Sequence, residues 1–496
     1  MHRILFATSE VFPLIKTGGL ADVSGSLPPA LQALHYDVHI IIPGYQDVLT
    51  AIKQKKQIAE VAIPEHNATI SLWETRLPGS HIKVWLVDFP PYFDRPGNPY
   101  HDTKGEAWPD NADRFALFAR TVTAIALDQC DLSWKPDLVH CNDWQTGLVP
   151  ALLSLVPQRP ATVFSIHNLA YQGLFPRDTF DRLQLPEQWW SPEALEFYGQ
   201  ISFIKGGLCF ADQLTTVSPG YANEIQTPEF GHGLEGLLRH RSTSLTGILN
   251  GIDDQVWNPG TDRYLPNPYN WKRLEDKQLN KTALQEHCGL TVDPSIPVIG
   301  LIGRLVHQKG IDMVLHVLPE LMLEPVQFVI LGSGELEFSK QLQYLAQSYP
   351  QKLFAFIGYD EALAHLIEGG ADMFLMPSRF EPCGLNQLYS LRYGTLPIVR
   401  AVGGLADTIT DAEDETIKSG IANGIVFRDA GPMSLLQAVK RALDLYRKPK
   451  IWKKVIITGM RQSYSWETSA KQYGALYDKL LRSEKSSNDV LLYHSG

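Results

Sequence analysis

Cysteine is scarce in this chain: Cys130, Cys141, Cys209, Cys288 and Cys383 are scattered through 496 residues with no C-x-x-C pair. An odd number without paired spacing excludes a disulfide framework and a structural zinc site, and points to a reducing cytoplasmic compartment. No run of about 18 apolar residues exists to span a bilayer. The apolar start, Met1 to Thr8, is interrupted by Glu10 and Pro13, too soon for a secretory segment, and reads as a strand. An excess of positive charge is also missing, the net charge being −10. That argues against nucleic-acid and membrane partners, and any anionic ligand must be met by cations gathered locally. There is no D-x-D to seat a divalent ion on a diphosphate, and His140 and Cys141 have no partner at metal-ligand spacing, so no metal and no cofactor is expected. Gly332-Ser333-Gly334 lacks the third glycine of a dinucleotide fingerprint, which argues against a nicotinamide oxidoreductase.

What is present is ordinary for a globular protein: 44% hydrophobic and 20% charged residues. The length exceeds one core and predicts two domains of roughly 200–250 residues. Apolar runs predict strands at 3–8, 38–43, 84–89, 137–141, 162–166 and 213–217, then at 297–303, 327–332, 353–358, 373–376, 396–400 and 424–428. Because the runs are continuous and separated by helix-length stretches, they predict an α/β fold of two doubly wound parallel-sheet domains. Pro259, Pro266 and Pro268 crowd with Gly251 and Gly260 in 251–272, which reads as the boundary between domains 1–250 and 260–465. A last helix is predicted over about 466–483, with a short, frayed polar tail after Glu484. One pentapeptide occurs twice, Gly18-Gly19-Leu20-Ala21-Asp22 and Gly403-Gly404-Leu405-Ala406-Asp407, each between a strand and a helical stretch. It is either a pair of phosphate-holding turns or a pair of plain helix starts.

Ligands of open parallel sheets bind beyond the carboxyl ends of the strands, and the unusual residues collect there. Ser9, Glu10, Lys16, Gly18 and Gly19 follow the first strand; Asp143 and His167 follow later ones; Arg304, Lys309 and the run Pro377 to Leu385 lie in the second half. If both sets of carboxyl edges face one another, these residues converge on one cleft. Glycines ahead of a helix let backbone N–H groups approach an anion, which fits Gly18-Gly19, Gly384 and Gly403-Gly404. Arg304 and Lys309 suit a diphosphate, or a solvated loop. Glu381 suits sugar hydroxyls and a developing positive charge, or else an N-cap or an ion pair with Arg379. Asp143 reads equally as the N-cap of the next helix, His167 as a strand-end histidine and Cys383 as a small apolar residue.

Taken in order, the words Lys16-Thr17-Gly18-Gly19-Leu20-Ala21-Asp22-Val23, His140-Cys141-Asn142-Asp143-Trp144, His167 to Gly173, Lys205-Gly206-Gly207, Asn250-Gly251-Ile252-Asp253, Gly303-Arg304-Leu305 with Lys309-Gly310, and Pro377 to Leu385 resemble the bacterial glycogen synthases and plant starch synthases over residues 3–480. The resemblance implies a GT-B architecture, two Rossmann-like domains across a deep cleft with the last helix returning to the first. It implies retaining, metal-independent transfer of glucose from ADP-glucose, or UDP-glucose, to the non-reducing end of an α-1,4-glucan. Arg304 and Lys309 would hold the diphosphate, with Glu381 at the transferred glucose and His167 and Asp143 positioning it. Lys16, Gly18, Gly19, Cys383, Gly384, Leu385, Gly403 and Gly404 would contact the donor, Tyr359 would stack on its base, and Ser9, Glu10 and Tyr171 would lie on the acceptor side. The position eight after Glu381 is Tyr389, where many retaining relatives carry a second glutamate, and Val402 stands where the family often has threonine. Transfer to a small acceptor, an α-glucan phosphorylase and a non-catalytic scaffold are the competing readings; intact Lys16, His167, Arg304, Lys309 and Glu381 weigh against the last.

Overall fold

A computed structural model describes residues 1–493, with side chains described through Arg482. The chain divides into two compact units, one of residues Met1–Gly251 with the segment from Trp466 onward, the other Ile252–Ser465.

The first unit is built from β1 (Arg3–Ala7), β2 (Asp37–Pro43), β3 (Lys56–Ile63), β4 (Ala68–Arg76), β5 (Lys83–Asp88), β6 (Leu138–Asn142) and β7 (Ala161–Ile166), with β8 (Leu174–Pro176), β9 (Glu196–Phe197), β10 (Gln200–Ser202), β11 (Gln213–Thr216) and β12 (Leu245–Gly247) following. Nine of these form one sheet in the order β12-β11-β7-β6-β1-β2-β5-β4-β3, and β8-β10-β9 form a small separate one. The central strands are parallel and buried along their length, as Leu138–Asn142 and Ala161–Ile166 show. β3 and β4 are different: they pair antiparallel, and their burial alternates along the strand. Alternating exposure lets polar side chains occupy one face, so these strands carry no continuous apolar run and the six-strand expectation missed them.

The second unit has β13 (Val298–Ile302), β14 (Gln327–Gly332), β15 (Leu353–Ile357), β16 (Met373–Met376), β17 (Leu396–Arg400) and β18 (Ile425–Phe427), all parallel, in the order β15-β14-β13-β16-β17-β18. The helix Ile311–Leu321 turns Val314, Leu318 and Leu321 into its core against Ile299 and Phe328, each fully buried aliphatic side chain stabilising by about 1.5–3 kcal/mol. After β5 the chain crosses to the other side of β1 and continues with β6, and after β15 it crosses to the other side of β13 and continues with β16. These switch points fix where loops part and a ligand can enter.

The proline-rich stretch after Gly251 is packed rather than loose. Trp257 stacks between His365 and Tyr389 at centroid distances of 3.9 and 3.8 Å, and Tyr269 is buried. The last helix, Trp466–Tyr493, runs past the expected end at 483, and what remains of the expected tail lies outside the described residues. No proline or glycine between Gly474 and Gly496 interrupts it. Trp466, Ala470, Tyr473, Tyr477 and Leu481 form a buried stripe at helical spacing. Tyr477 Oη meets His140 Nδ1 at 2.7 Å, and Tyr36 Oη donates to Gly474 O and to Asp478 at 3.0 and 2.8 Å, which fastens this helix to the first unit's sheet. Among the described residues, no helix is long and apolar enough to cross a membrane.

Candidate active site

At the switch point of the first unit, β1 delivers Ser9 and Glu10 to the sheet edge. Glu10 is 3% exposed, so its carboxylate has to be satisfied by protein. It accepts the Thr17 and Gly18 N–H groups at 2.5 and 3.2 Å, the Thr17 hydroxyl at 2.6 Å and the Tyr100 hydroxyl at 2.5 Å. Ser9 Oγ also meets Tyr100 Oη, at 2.8 Å. Glu10 is thus an anchor for the Lys16–Gly18 loop, and its side chain is committed to that loop. Lys16 pairs with Asp22 at 2.8 Å. Gly18 caps the helix Gly19–Ala33, and a Cβ on Gly18 or Gly19 would meet nothing within 4 Å. The space over the two glycines is open.

β6 and β7 are neighbours, and Asp143 bridges their ends. Its carboxylate accepts from the N–H groups of His167 at 2.7 Å and Asn168 at 3.4 Å and makes no cap to the turn that follows, so the N-cap alternative is not realised. Asp143 adopts φ 58° and ψ −179°, a region almost confined to glycine that costs of order 1–3 kcal/mol and collects at functional sites. Burial lifts its carboxyl to about 7; the two N–H bonds pull the other way and the Glu10 carboxylate adds to the rise. Asn142 gives its amide N–H to Ala7 O at 3.0 Å, which turns its Oδ1 toward His167 Nε2 at 2.9 Å. His167 therefore donates from Nε2 and keeps a lone pair on Nδ1, and burial holds it neutral by pushing it down to about 3. Tyr171 is 48% exposed with its ring at the surface.

The Lys205-Gly206-Gly207 word is structural. Lys205 Nζ donates to the carbonyls of Pro192 and Glu196, while a Cβ on Gly206 or Gly207 would strike Gly147 O or the Phe164 ring at 2.5 and 2.4 Å.

At the switch point of the second unit, the loops after β13 and β16 are stitched together. Arg379 N–H donates to Gln308 O at 2.8 Å and Gln308 Nε2 to Phe380 O at 3.3 Å. Gly310, at φ 71°, caps the helix Ile311–Leu321, and a Cβ there would lie 2.3 Å from Pro377 O. This register sets Lys309 Nζ 2.5 Å from Glu381 Oε2, which also accepts from Ser378 Oγ at 2.9 Å. Glu381 is neither an N-cap nor the partner of Arg379, whose guanidinium instead grips Asp312 bidentately at 2.6 and 2.8 Å. Arg304 lies exposed on the same loop, with Nη2 3.1 Å from Gln308 Oε1.

Gly384 takes φ 71°, Cys383 is buried, and Leu385 leads into the helix Asn386–Tyr393. The second copy of the pentapeptide is not equivalent to the first. Val402, not a glycine, caps its helix; Gly403 sits at φ 42°; and a Cβ on Gly404 would lie 2.1 Å from Cys383 O. Gly404 N–H donates to Glu381 O at 3.2 Å. This glycine pair locks the Glu381 loop in place, whereas the first pair is open. Tyr359 follows the edge strand β15, 71% exposed, with its hydroxyl on Glu361. Sequence reasoning gave no role to Tyr100, Asn142 or Ser378. Ser378 lay inside a recognised word, while Tyr100 meets Glu10 across 90 positions with no local signal.

Comparison with known proteins gives a consistent result. A starch synthase catalytic domain model matches residues 3–240, and a glycosyl transferases group 1 model matches residues 290–456. The chain is 57% identical to glycogen synthase 1 of Methylococcus capsulatus, covering 97% of each chain. It is 55% identical to glycogen synthase of Cellvibrio japonicus, covering 97% of this chain and 100% of that one. Among solved structures, the catalytic domain of starch synthase IV from Arabidopsis thaliana, bound to ADP and acarbose, superposes with a TM-score of 0.87 at 32% identity over 97% of this chain and 99% of that one. Sucrose-phosphate synthase from Thermosynechococcus elongatus, at TM-score 0.59 and 17% identity over 97% of this chain and 100% of that one, shares the fold.

Proposed function

We propose, on the premise that this chain belongs to the glycogen synthase family and transfers glucosyl units to a glucan, that ADP-glucose is its donor and that Lys309, Arg304 and Glu381 carry the transfer. The observation that supports this most is the Lys309–Glu381 pair at the switch point of the second unit. A lysine held by a carboxylate is ready to turn to a diphosphate, while the carboxylate stays beside the sugar. Arg304, exposed on the same loop, adds the second cation. The ADP bound to the Arabidopsis relative favours an adenine nucleotide, and Tyr359, exposed at the edge of the same sheet, is the group we assign to its base.

The first unit supplies the rest. Gly19 offers its backbone N–H to the phosphates and Gly18, whose own N–H is held by Glu10, leaves room for them to approach, with Lys16 beside them. Neutral His167 offers its Nδ1 lone pair to a sugar hydroxyl, and Asp143 sets the loop that carries it. Ser9 and Tyr171 remain on the acceptor side; Glu10 acts on the donor loop instead.

The acceptor hydroxyl oxygen attacks the anomeric carbon on the face from which the diphosphate departs. The sugar–phosphate C–O bond breaks, and the acceptor's proton passes to the leaving phosphate oxygen, so configuration is retained without a protein nucleophile. Catalysis is then placement and charge stabilisation, with the two cations doing what a metal does elsewhere. Radiolabelled ADP-glucose and, separately, UDP-glucose, each with glycogen and EDTA, test the reading. Amylase-sensitive label from ADP-glucose, undiminished by EDTA, is expected. Incorporation from UDP-glucose alone, or its loss on chelation, would overturn the donor or the metal-free assignment.

A further inference from the structure

Beyond the edge strand β15, a chain of polar groups runs from the surface of the second unit into its core. Tyr359 is 71% exposed, yet its one polar side-chain atom is tied down: the hydroxyl donates to Glu361 Oε2. Glu361 opens the helix Glu361–Gly370, which Asp360 caps by accepting the Leu363 N–H at 2.9 Å. Four positions on, one helical turn away, His365 is 1% exposed. Its Nε2 lies 3.4 Å from Glu361 Oε1, so the two oxygens of Glu361 serve two different residues.

His365 is fixed from its other side. Its Nδ1 meets Asp262 Oδ2 at 2.7 Å, and the Trp257 indole stacks on it at 3.9 Å with the planes 7° apart. Asp262 is itself buried and accepts the Tyr393 hydroxyl at 2.5 Å. Burial pulls the imidazole down, but the two carboxylates, Asp262 first, outweigh it and hold His365 above its ordinary value. As a cation it carries a proton on each ring nitrogen, and a carboxylate faces each one. Exposed hydrogen bonds and buried ion pairs add little net stability, so stability is a poor reason for tying a surface tyrosine to a core imidazolium. A binding role accounts for it better. An exposed tyrosine is otherwise free to turn, and ordering such a side chain on association costs affinity, whereas a ring held beforehand avoids that loss.

We infer that Glu361, on the reading that puts Tyr359 against the nucleotide base, is a positioning residue for the donor: it holds the Tyr359 ring in place before the base arrives, and His365 fixes it from the core. Glu361 touches no reacting atom and acts through Tyr359 alone. Its loss is therefore felt in donor affinity and not in the chemical step.

The test is steady-state kinetics of the full chain with ADP-glucose and glycogen, comparing Tyr359→Ala, Tyr359→Phe, Glu361→Ala, Glu361→Gln and the double variant Tyr359→Phe/Glu361→Ala. Tyr359→Phe and Glu361→Ala should each raise the KM for ADP-glucose about three- to tenfold, the factor that freeing one side chain implies. In both, kcat and the KM for glycogen should stay at the parent values. The double variant should be no worse than either single one, because both remove the same contact. Glu361→Gln keeps an oxygen for the hydroxyl and should restore most of the affinity, and Tyr359→Ala should raise the donor KM furthest. An unchanged donor KM in Tyr359→Ala would overturn the assignment of Tyr359 to the base, and the role of Glu361 with it. A raised KM in Tyr359→Ala beside parent values in Tyr359→Phe and Glu361→Ala would leave Tyr359 at the base and overturn the role of Glu361 alone. Effects that multiply in the double variant, or a Glu361→Ala loss that falls on kcat, would also overturn that role.

Discussion

At the residue scale, the Lys309–Glu381 pair carries the sharpest expectation. Lys309→Ala and Glu381→Ala should each lower turnover at least about a hundredfold, the range seen when a charge-stabilising group is removed. Lys309→Ala leaves the Glu381 carboxylate with Ser378 Oγ as its one named side-chain donor, so a stability cost of about 1–3 kcal/mol should accompany it. Circular dichroism and thermal melts separate the two effects: a folded, inactive protein is expected, and near-normal turnover in either variant would refute the assignment. Asp143 predicts a pH effect. Its carboxyl is raised from 3.8 to about 7, so between those values the folded state keeps a proton that the unfolded chain has released. Stability from this group is full below pH 3.8, falls as pH rises and is gone above about 7. Asp143→Asn lacks this dependence and keeps the size of the side chain, so the backbone strain is the same in both proteins. Urea unfolding of the two proteins should therefore show the asparagine variant gaining on its parent from pH 4 to 7. A constant difference would mean the carboxyl titrates normally.

At the scale of elements, the repeated pentapeptide makes a controlled experiment. Gly19→Ala should fold with unchanged stability, since nothing lies within 4 Å of the new Cβ, yet raise the KM for the donor if backbone amides meet phosphate there. Gly404→Ala puts a Cβ 2.1 Å from Cys383 O and should destabilise the fold as well as abolish transfer. Equal behaviour of the two variants would remove the distinction between an open turn and a packed one. All twelve strands expected from continuous apolar runs are present, because a strand covered on both faces announces itself in composition. β3 and β4 did not, since alternating polar residues conceal a half-buried strand among loops. The site was legible at its words and not in its wiring. Glu10 stood out as a buried-strand exit, but its role depends on Tyr100 and on Thr17 amides that only folding brings to it. Glu381 and Arg379 lie two apart and an ion pair between them was one alternative, whereas their partners Lys309 and Asp312 come from the loop and the helix that follow the neighbouring strand.

At the scale of the whole molecule, the first unit depends on the end of the chain. Tyr477→Phe removes the hydroxyl from a buried bond to His140 and should cost about 1–3 kcal/mol. A chain ending at Ser465 should lose the first unit's cooperative unfolding transition while the second unit keeps its own. A single unchanged melt would show that the helix is dispensable.

That dependence has a consequence for how the protein is made. The first unit's sheet is complete in sequence by Gly247, but the helix that covers Tyr36 and His140 is translated only after the second unit. Roughly 200 residues of the second unit are synthesised in between, which at about 5–20 residues per second leaves the sheet uncovered for some 10–40 s on the ribosome. The second unit, contiguous in the chain, can fold first. The nascent first unit meanwhile lacks its cover, and a premature stop before Trp466 forfeits the part of the protein that was made first.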